Sequence, residues 1–358
     1  MFPALLLAVL QAAPVASPAA PAAPAIYAAL PLRNLTADGA APGELVGRLR
    51  EALEKRGARF VPAEKVEALL VARRIRSTDS ISIEDARAVR ESTGAAHVIT
   101  GTLLEFRRGS SPSLAFSLRV IDARSGSREQ SLVLSLRGED SRGWLGLGAV
   151  EDSGELVGRA TERLLALFGP DAAPLALPAR RTRSPEPDDG PIRPRARPRF
   201  ELSAVERVAV LPFVNRSTRP EASVQFAEVL ADEWFRGARI QVVEASELRA
   251  AMVREKIRYL SDLDPQALAA VGRALGVRHF VLGSLDRFGE EETVADKHYP
   301  VVEATLRLVE AESGLVVAST GLRVRGDAHR QPLGFGLVHD PLVVAAEVAR
   351  GMISQLGG

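Results

Sequence analysis

Cysteine is absent from all 358 residues. That removes disulfides, thiolate metal sites, a nucleophilic thiol and a lipid-bearing N-terminal cysteine together. Lysine is almost absent as well. Of 46 basic residues only Lys55, Lys65, Lys256 and Lys297 are lysines, and the remainder are arginine. Beside abundant Ala, Gly and Pro, this skew reflects genome composition rather than a phosphate-binding surface. Aromatic residues make up 5% of the chain, and the formal net charge is only +1, so no bulk field draws the protein to nucleic acid or an acidic membrane. Long apolar runs are missing after the first residues, and no later segment has the length of a membrane-spanning helix.

What is present has globular proportions, 46% hydrophobic and 25% charged, in a chain long enough for two ordinary domains. Residues 1–25 have the pattern of a secretion signal: a short apolar core from Phe2 to Leu10, an Ala/Pro stretch, and small residues at Ala23 and Ala25. Ser17 and Ala19 offer a second cleavage position, and no basic residue precedes Arg33. The expectation is an exported, periplasmic protein, outer-membrane associated if it docks there.

The dominant feature is an internal duplication. Leu30-Pro31 and Asn34 recur as Leu211-Pro212 and Asn215, Gly94 and His97 as Gly276 and His279, Gly101 and Leu103 as Gly283 and Leu285. After an insertion the spacing resets, pairing Leu118-Arg119 with Leu306-Arg307 and Ser125-Gly126 with Ser313-Gly314. Offsets that hold for long stretches and jump in turn-like segments are the signature of one ancestral unit copied once. The expected organisation is a leader (1–25), a first unit (26–170), a Pro/Arg-rich semi-rigid linker (171–203) and a second unit (204–358).

Each unit reads as an α/β domain of three-layer type with a mixed sheet, in the order β-α-β-α-α-β-β-β-α. Apolar strands open the copies at Ile26 to Leu32 and Val208 to Phe213, each ended by its proline. Leu45, Leu49 and Leu53 form a helical stripe matched by Phe226, Leu230 and Trp234. Ser82 with Asp85 predicts a capped helix start, and Asp264-Pro265 predicts the same start by different chemistry. A hairpin turning at Ser125-Gly126 or Ser313-Gly314 and a final amphipathic helix close each unit. Between Leu285 and Thr305 the second copy has six extra residues, expected as an acidic loop with Glu290, Glu291 and Glu292 and an exposed Tyr299.

Leu211-Pro212-Phe213-Val214-Asn215, Val242-Val243-Glu244-Ala245-Ser246, Leu275-Gly276-Val277-Arg278-His279 and the Ser313-Gly314 turn together resemble the envelope domain shared by CsgG, FlgO, LpoB-type activators and the amino-terminal domain of TolB. The resemblance covers nearly all of the second copy and most of the first. It implies a non-enzymatic cell-envelope binding or assembly module whose partners are other envelope proteins. It also implies two alternatives: a subunit of a CsgG-like secretion complex, or an activator of a peptidoglycan-synthesis enzyme. Relatives of that kind are lipid-anchored through cysteine, or carry a β-propeller, and this chain has neither feature in its sequence.

No catalytic motif, metal-ligand spacing or cofactor fingerprint stands out, and neither nucleic acid nor a small-molecule substrate is indicated. His97 and His279 occupy equivalent strand starts, a structural placement. The candidate binding or motif positions are Asn34 and Asn215 in the first loop of each unit, Trp144 and Phe335 in Gly-rich segments, and Glu290, Glu291 and Glu292. An oligomer is compatible with this pattern.

Overall fold

The structure, a computed structural model, describes residues 24–141, 150–175, 195–196, 200–258, 263–294, 297–329 and 337–357. Trp144 and Phe335 lie outside the described residues. The first unit runs β1 (Ile26–Ala29), β2 (Arg33–Asn34), α1 (Ala41–Glu54), β3 (Arg59–Phe60), α2 (Ala63–Ala72), α3 (Ile83–Thr93), β4 (His97–Arg107), β5 (Ser113–Asp122), β6 (Arg128–Arg137) and α4 (Ser153–Leu165). After β7 (Arg195–Ala196) the second repeats this order. It comprises β8 (Arg207–Val210), β9 (Val214–Asn215), α5 (Ala222–Gly237), β10 (Gln241–Val242), α6 (Ala245–Arg254), α7 (Pro265–Leu275), β11 (His279–Val294), β12 (Lys297–Glu310), β13 (Val316–Arg325) and α8 (Pro341–Gln355). The expected fold class is found, and the expected element order with one short strand added in each copy, β2 and β9.

Each sheet is mixed. The first has the order β3-β1-β4-β5-β6 with β2 also on β4, and the second β10-β8-β11-β12-β13-β7 with β9 on β11. The opening strands pair in parallel, where βα crossovers cover both faces, and the three long strands form antiparallel meanders. Pro31 does not end the ladder as expected. It interrupts it, and Arg33–Asn34 rejoin β4 in parallel register. Proline lacks one donor, and the chain resumes pairing as soon as that donor is passed.

Two apolar layers flank each sheet. On one face Leu45, Leu49 and Leu53 of α1 and Val157, Ala160 and Leu164 of α4 pack on Phe116, Leu118 and Val120. The opposite face of β1 and β4 carries α2 and α3 through Val66, Leu70, Ala86 and Val89. In the second unit Phe226, Leu230 and Trp234 take the places of the three leucines, all fully buried. At roughly 1.5–3 kcal/mol per buried large apolar side chain, these stripes are the main force holding helices to sheet.

The duplicated glycines have two physical duties. Gly94 and Gly276 end α3 and α7 in the left-handed region, at φ 76° and 64°. Gly101 and Gly283 sit where neighbouring strands approach too closely for a side chain. A Cβ there would stand 2.1 Å from the Ser117 carbonyl oxygen and 2.2 Å from that of Thr305.

The second unit's insertion is not a loop. Glu290, Glu291 and Glu292 continue β11 and pair with Val301, Pro300 and Tyr299 of β12, so the extra residues lengthen both arms of a hairpin. Tyr299 is fully buried rather than exposed, and it stacks on His339 at 6.0 Å. Divided evenly across a hairpin, six residues satisfy their own backbone groups in the ladder. In a loop those groups would depend on water. The flanks of the linker also pack. Ala172 is buried, its carbonyl accepts from the Tyr27 hydroxyl at 2.5 Å, and Leu202 joins the second core.

Helix starts follow the expected chemistry. Ser82 Oγ accepts from Asp85 N at 3.1 Å, and Asp264 Oδ1 accepts from Ala267 N at 2.8 Å. Ser82 and Asp85 also bond side chain to side chain at 2.8 Å. Asp264→Ala is expected to lower stability by about 1 kcal/mol, with Asp264→Asn near neutral. Denaturant midpoints of the two variants check this, and an unchanged midpoint for the alanine variant would remove the cap's energetic role.

Candidate functional site

The site with the most chemistry is the contact between the units. A β-sheet face and helix backs that a single unit would leave to solvent are here pressed together. On the face of β4, β5 and β6 opposite α1 and α4, the first unit presents Thr102, Leu104, Ala115, Ser117, Arg119 and Ser131, all buried. Helices α5 and α8 of the second unit cover this face with their outward sides, and the start of α6 meets Arg128 and the segment at Asp79 and Ser80. The helix layer is therefore sandwiched between two sheets, and Leu104 and Ala115 join the second unit's core.

The contact is charged as well as apolar. Arg119, 5% exposed, donates to the Asp79 carbonyl at 2.6 Å and pairs with Glu228 of α5. Arg128 donates two hydrogen bonds to Glu244 Oε1, at 3.0 and 2.6 Å, and lies over the Phe235 ring at 5.7 Å. Gln225 Nε2 donates to the Leu104 carbonyl at 3.1 Å, Ser246 N donates to Ser80 Oγ at 3.0 Å, and Arg137 sits 3.7 Å from Asp340.

Burial works against the charge on Arg119, but Glu228 and Glu244 outweigh it and hold its pKa above the ordinary arginine value. Two carboxyls go the other way. Burial raises Asp232 despite Arg236 and the Ser131 hydroxyl, and burial raises Asp340 despite Arg137 and the Ser135 hydroxyl. Such a group stabilises the fold most when protonated. Its contribution is full below the ordinary carboxyl pKa and is lost as pH rises through the raised folded value.

The sequence-derived candidates divide differently. Asn34 Oδ1 accepts from Thr36 N and Oγ1 at 2.9 and 2.8 Å, while its Nδ2 donates to the Asp38 carbonyl at 2.8 Å. Asn215 repeats this with Ser217 N and Oγ and the Arg219 carbonyl. Both amides brace the turn leading into α1 or α5. His97 bonds Glu129 at 2.7 Å, and His279 is held below its usual pKa by burial. Among the described residues no group of His, Asp or Glu could hold a metal ion. No described helix is long and apolar enough to cross a membrane. Among the described residues none of these candidates meets another in a shared site.

Arg119, Arg128, Glu228 and Glu244 do meet, and the sequence pattern alone did not single them out. Arg119 looks like a charge breaking an apolar strand, whereas it points into a protein-covered face. A signal existed: α5 has Val229 and Ala231 where α1 has Arg48 and Arg50, so α5 is apolar on two sides and needs two partners.

No family model matches the chain, and no curated protein matches it. Solved structures similar to it include a PelC dodecamer from Paraburkholderia phytofirmans, 19% identical at TM-score 0.31, covering 46% of this chain and 94% of that one. Lipoprotein GNA1162 from Neisseria meningitidis is 16% identical at TM-score 0.28, covering 36% and 89%. The LpoB C-terminal domain from Escherichia coli is 15% identical at TM-score 0.27, covering 34% and 84%. Each match spans less than half of this chain.

Breaking one partner of the buried pair leaves an uncompensated charge. Arg128→Ala is expected to cost about 3–5 kcal/mol, read by denaturant unfolding, and a loss below 1 kcal/mol would show the pair to be solvated. Asp232→Asn should flatten the fall in stability as pH rises above the ordinary carboxyl range, relative to the natural chain. Parallel pH profiles for the two proteins would contradict the buried, raised carboxyl.

Proposed function

We propose that this chain is an exported, non-enzymatic cell-envelope protein that binds other envelope proteins and acts in their assembly. Three things support the reading: the leader-like N-terminus, the resemblance of both copies to the CsgG, FlgO, LpoB and TolB amino-terminal domains, and the docked pair of units. The observation that carries it furthest is the long hairpin. In the first unit the ladder ends at Arg107 and Ser113; in the second it runs on to Val294 and Lys297. Phe288 and Tyr299, both fully buried, anchor its base.

A hairpin held on a rigid base loses little entropy on binding. Three successive glutamates near its end steer a basic partner in a salt-dependent way. Two units locked together present this hairpin at a fixed position relative to the first unit, so a partner with two contact points gains avidity. The channel-subunit alternative requires a lipid-facing apolar alternation along projecting strands, and Glu290, Glu291 and Glu292 run against it.

Two measurements test the reading. Mass spectrometry of the native protein should show the leader removed near Ala25; an intact Met1 in a cytosolic fraction would contradict export. Replacing Glu290, Glu291 and Glu292 with glutamine should leave the melting temperature unchanged and reduce cross-linked envelope partners severalfold at low salt. Equal partner recovery at every salt concentration would place recognition elsewhere.

A further inference from the structure

The contact between the units joins unlike surfaces: a sheet face of the first and a helix layer of the second. Such a heterologous contact is open-ended, because each molecule still carries the other half. The second unit has an outward sheet face on β11, β12 and β13, and the first has an outward helix layer on α1 and α4. By the duplication these are the counterparts of the two surfaces that meet inside the chain. Among the described residues both counterpart surfaces lie on the outside of the chain.

At several of those counterpart positions the side chains differ in the same way, although Arg128 of the buried face corresponds to an exposed Val316 on the outward one. On the sheet, Leu104 and Ala115 of the buried face correspond to Asp286 and Glu303 of the outward face. On the helices, Val229 corresponds to Arg48, and Leu342 and Val343 to Gly154 and Glu155. Apolar positions have become charged or bare. The pairing of charges changes as well. Inside the chain Arg119 and Arg128 find Glu228 and Glu244 only across the contact.

On the outward faces several charges are paired within their own unit, while Arg307, the counterpart of Arg119, is exposed. Glu303 lies 3.9 Å from both Arg287 and Arg323, Asp286 lies 3.2 Å from Arg216, Glu44 lies 2.7 Å from Arg108, and Glu51 lies 3.0 Å from Lys55. Docking another molecule there would strip water from ions already paired, which costs more than new pairs return unless the geometry is rebuilt.

We infer that the protein is a self-terminated pair: the contact joining its units is capable of repeating between molecules, and charge on the two outward faces stops it. The units thus use their shared surface once, and each free face is kept soluble, as terminal repeats of stacked arrays are. Recognition of partners falls to surfaces outside this contact.

Light scattering on the full chain tests this. The natural protein should have the mass of one chain, 38.3 kDa less any leader removed, up to tens of micromolar. Two substitution pairs restore the buried-face residues: Asp286→Leu with Glu303→Ala on the sheet, and Gly47→Glu with Arg48→Val on the helix. A chain carrying both pairs should form multimers that grow with concentration. Chains carrying one pair each should stay single alone and form a one-to-one complex when mixed. A natural protein that multimerises, with Arg307→Glu dissolving the multimer, would overturn the inference. So would a cooperative melt of the four-substitution chain at the mass of a single chain. If that chain fails to fold, the mixture decides, and absence of the one-to-one complex overturns the inference equally.

Discussion

The organisation of this molecule depends on one surface having to be covered. A three-stranded antiparallel meander can leave one face to water if that face is polar, but β4, β5 and β6 place Leu104, Ala115, Arg119 and Arg128 on the side their own helices do not reach. The second unit supplies the cover. Its helices α5 and α8 carry apolar residues toward their own sheet and a mixed apolar and acidic surface toward the neighbour's. The pairs Arg119–Glu228 and Arg128–Glu244 fix the register of that contact. Buried ion pairs add little net stability against a hydrophobic replacement, yet losing one partner is expensive.

Duplication explains both the likeness and the difference of the halves. Positions that make the fold were kept in pairs: the αL glycines Gly94 and Gly276, the close-approach glycines Gly101 and Gly283, and the loop-bracing Asn34 and Asn215. Positions on the surfaces that face each other, or face outward, differ in environment even where the residue is kept. Arg119 and Arg307 show this most simply. The residue type is the same and so is the strand position, yet one is buried in an ion pair and the other exposed.

Much of this was legible beforehand, for identifiable reasons. Secondary structure, caps and core stripes depend on local spacing, and two copies gave each assignment an internal check; Ser82 and Asp264 reach the same cap by different atoms. The inserted segment was misread because acidic runs look like loops, and only pairing partners such as Val301 and Pro300 reveal a strand. The inter-unit contact is tertiary: no periodicity within one unit indicates that Arg119 faces another domain. The replacement of Arg48 and Arg50 by Val229 and Ala231 was its one trace in the sequence.

Docking itself is tested most directly by cutting the chain between the units. A specific protease site placed at Pro187 to Gly190 leaves every described contact intact. After cleavage the two fragments should remain one particle in light scattering, with the mass of the uncut chain, because the buried pairs and the shared core persist without the covalent link. Fragments that separate into two species of about half that mass would contradict a single docked molecule.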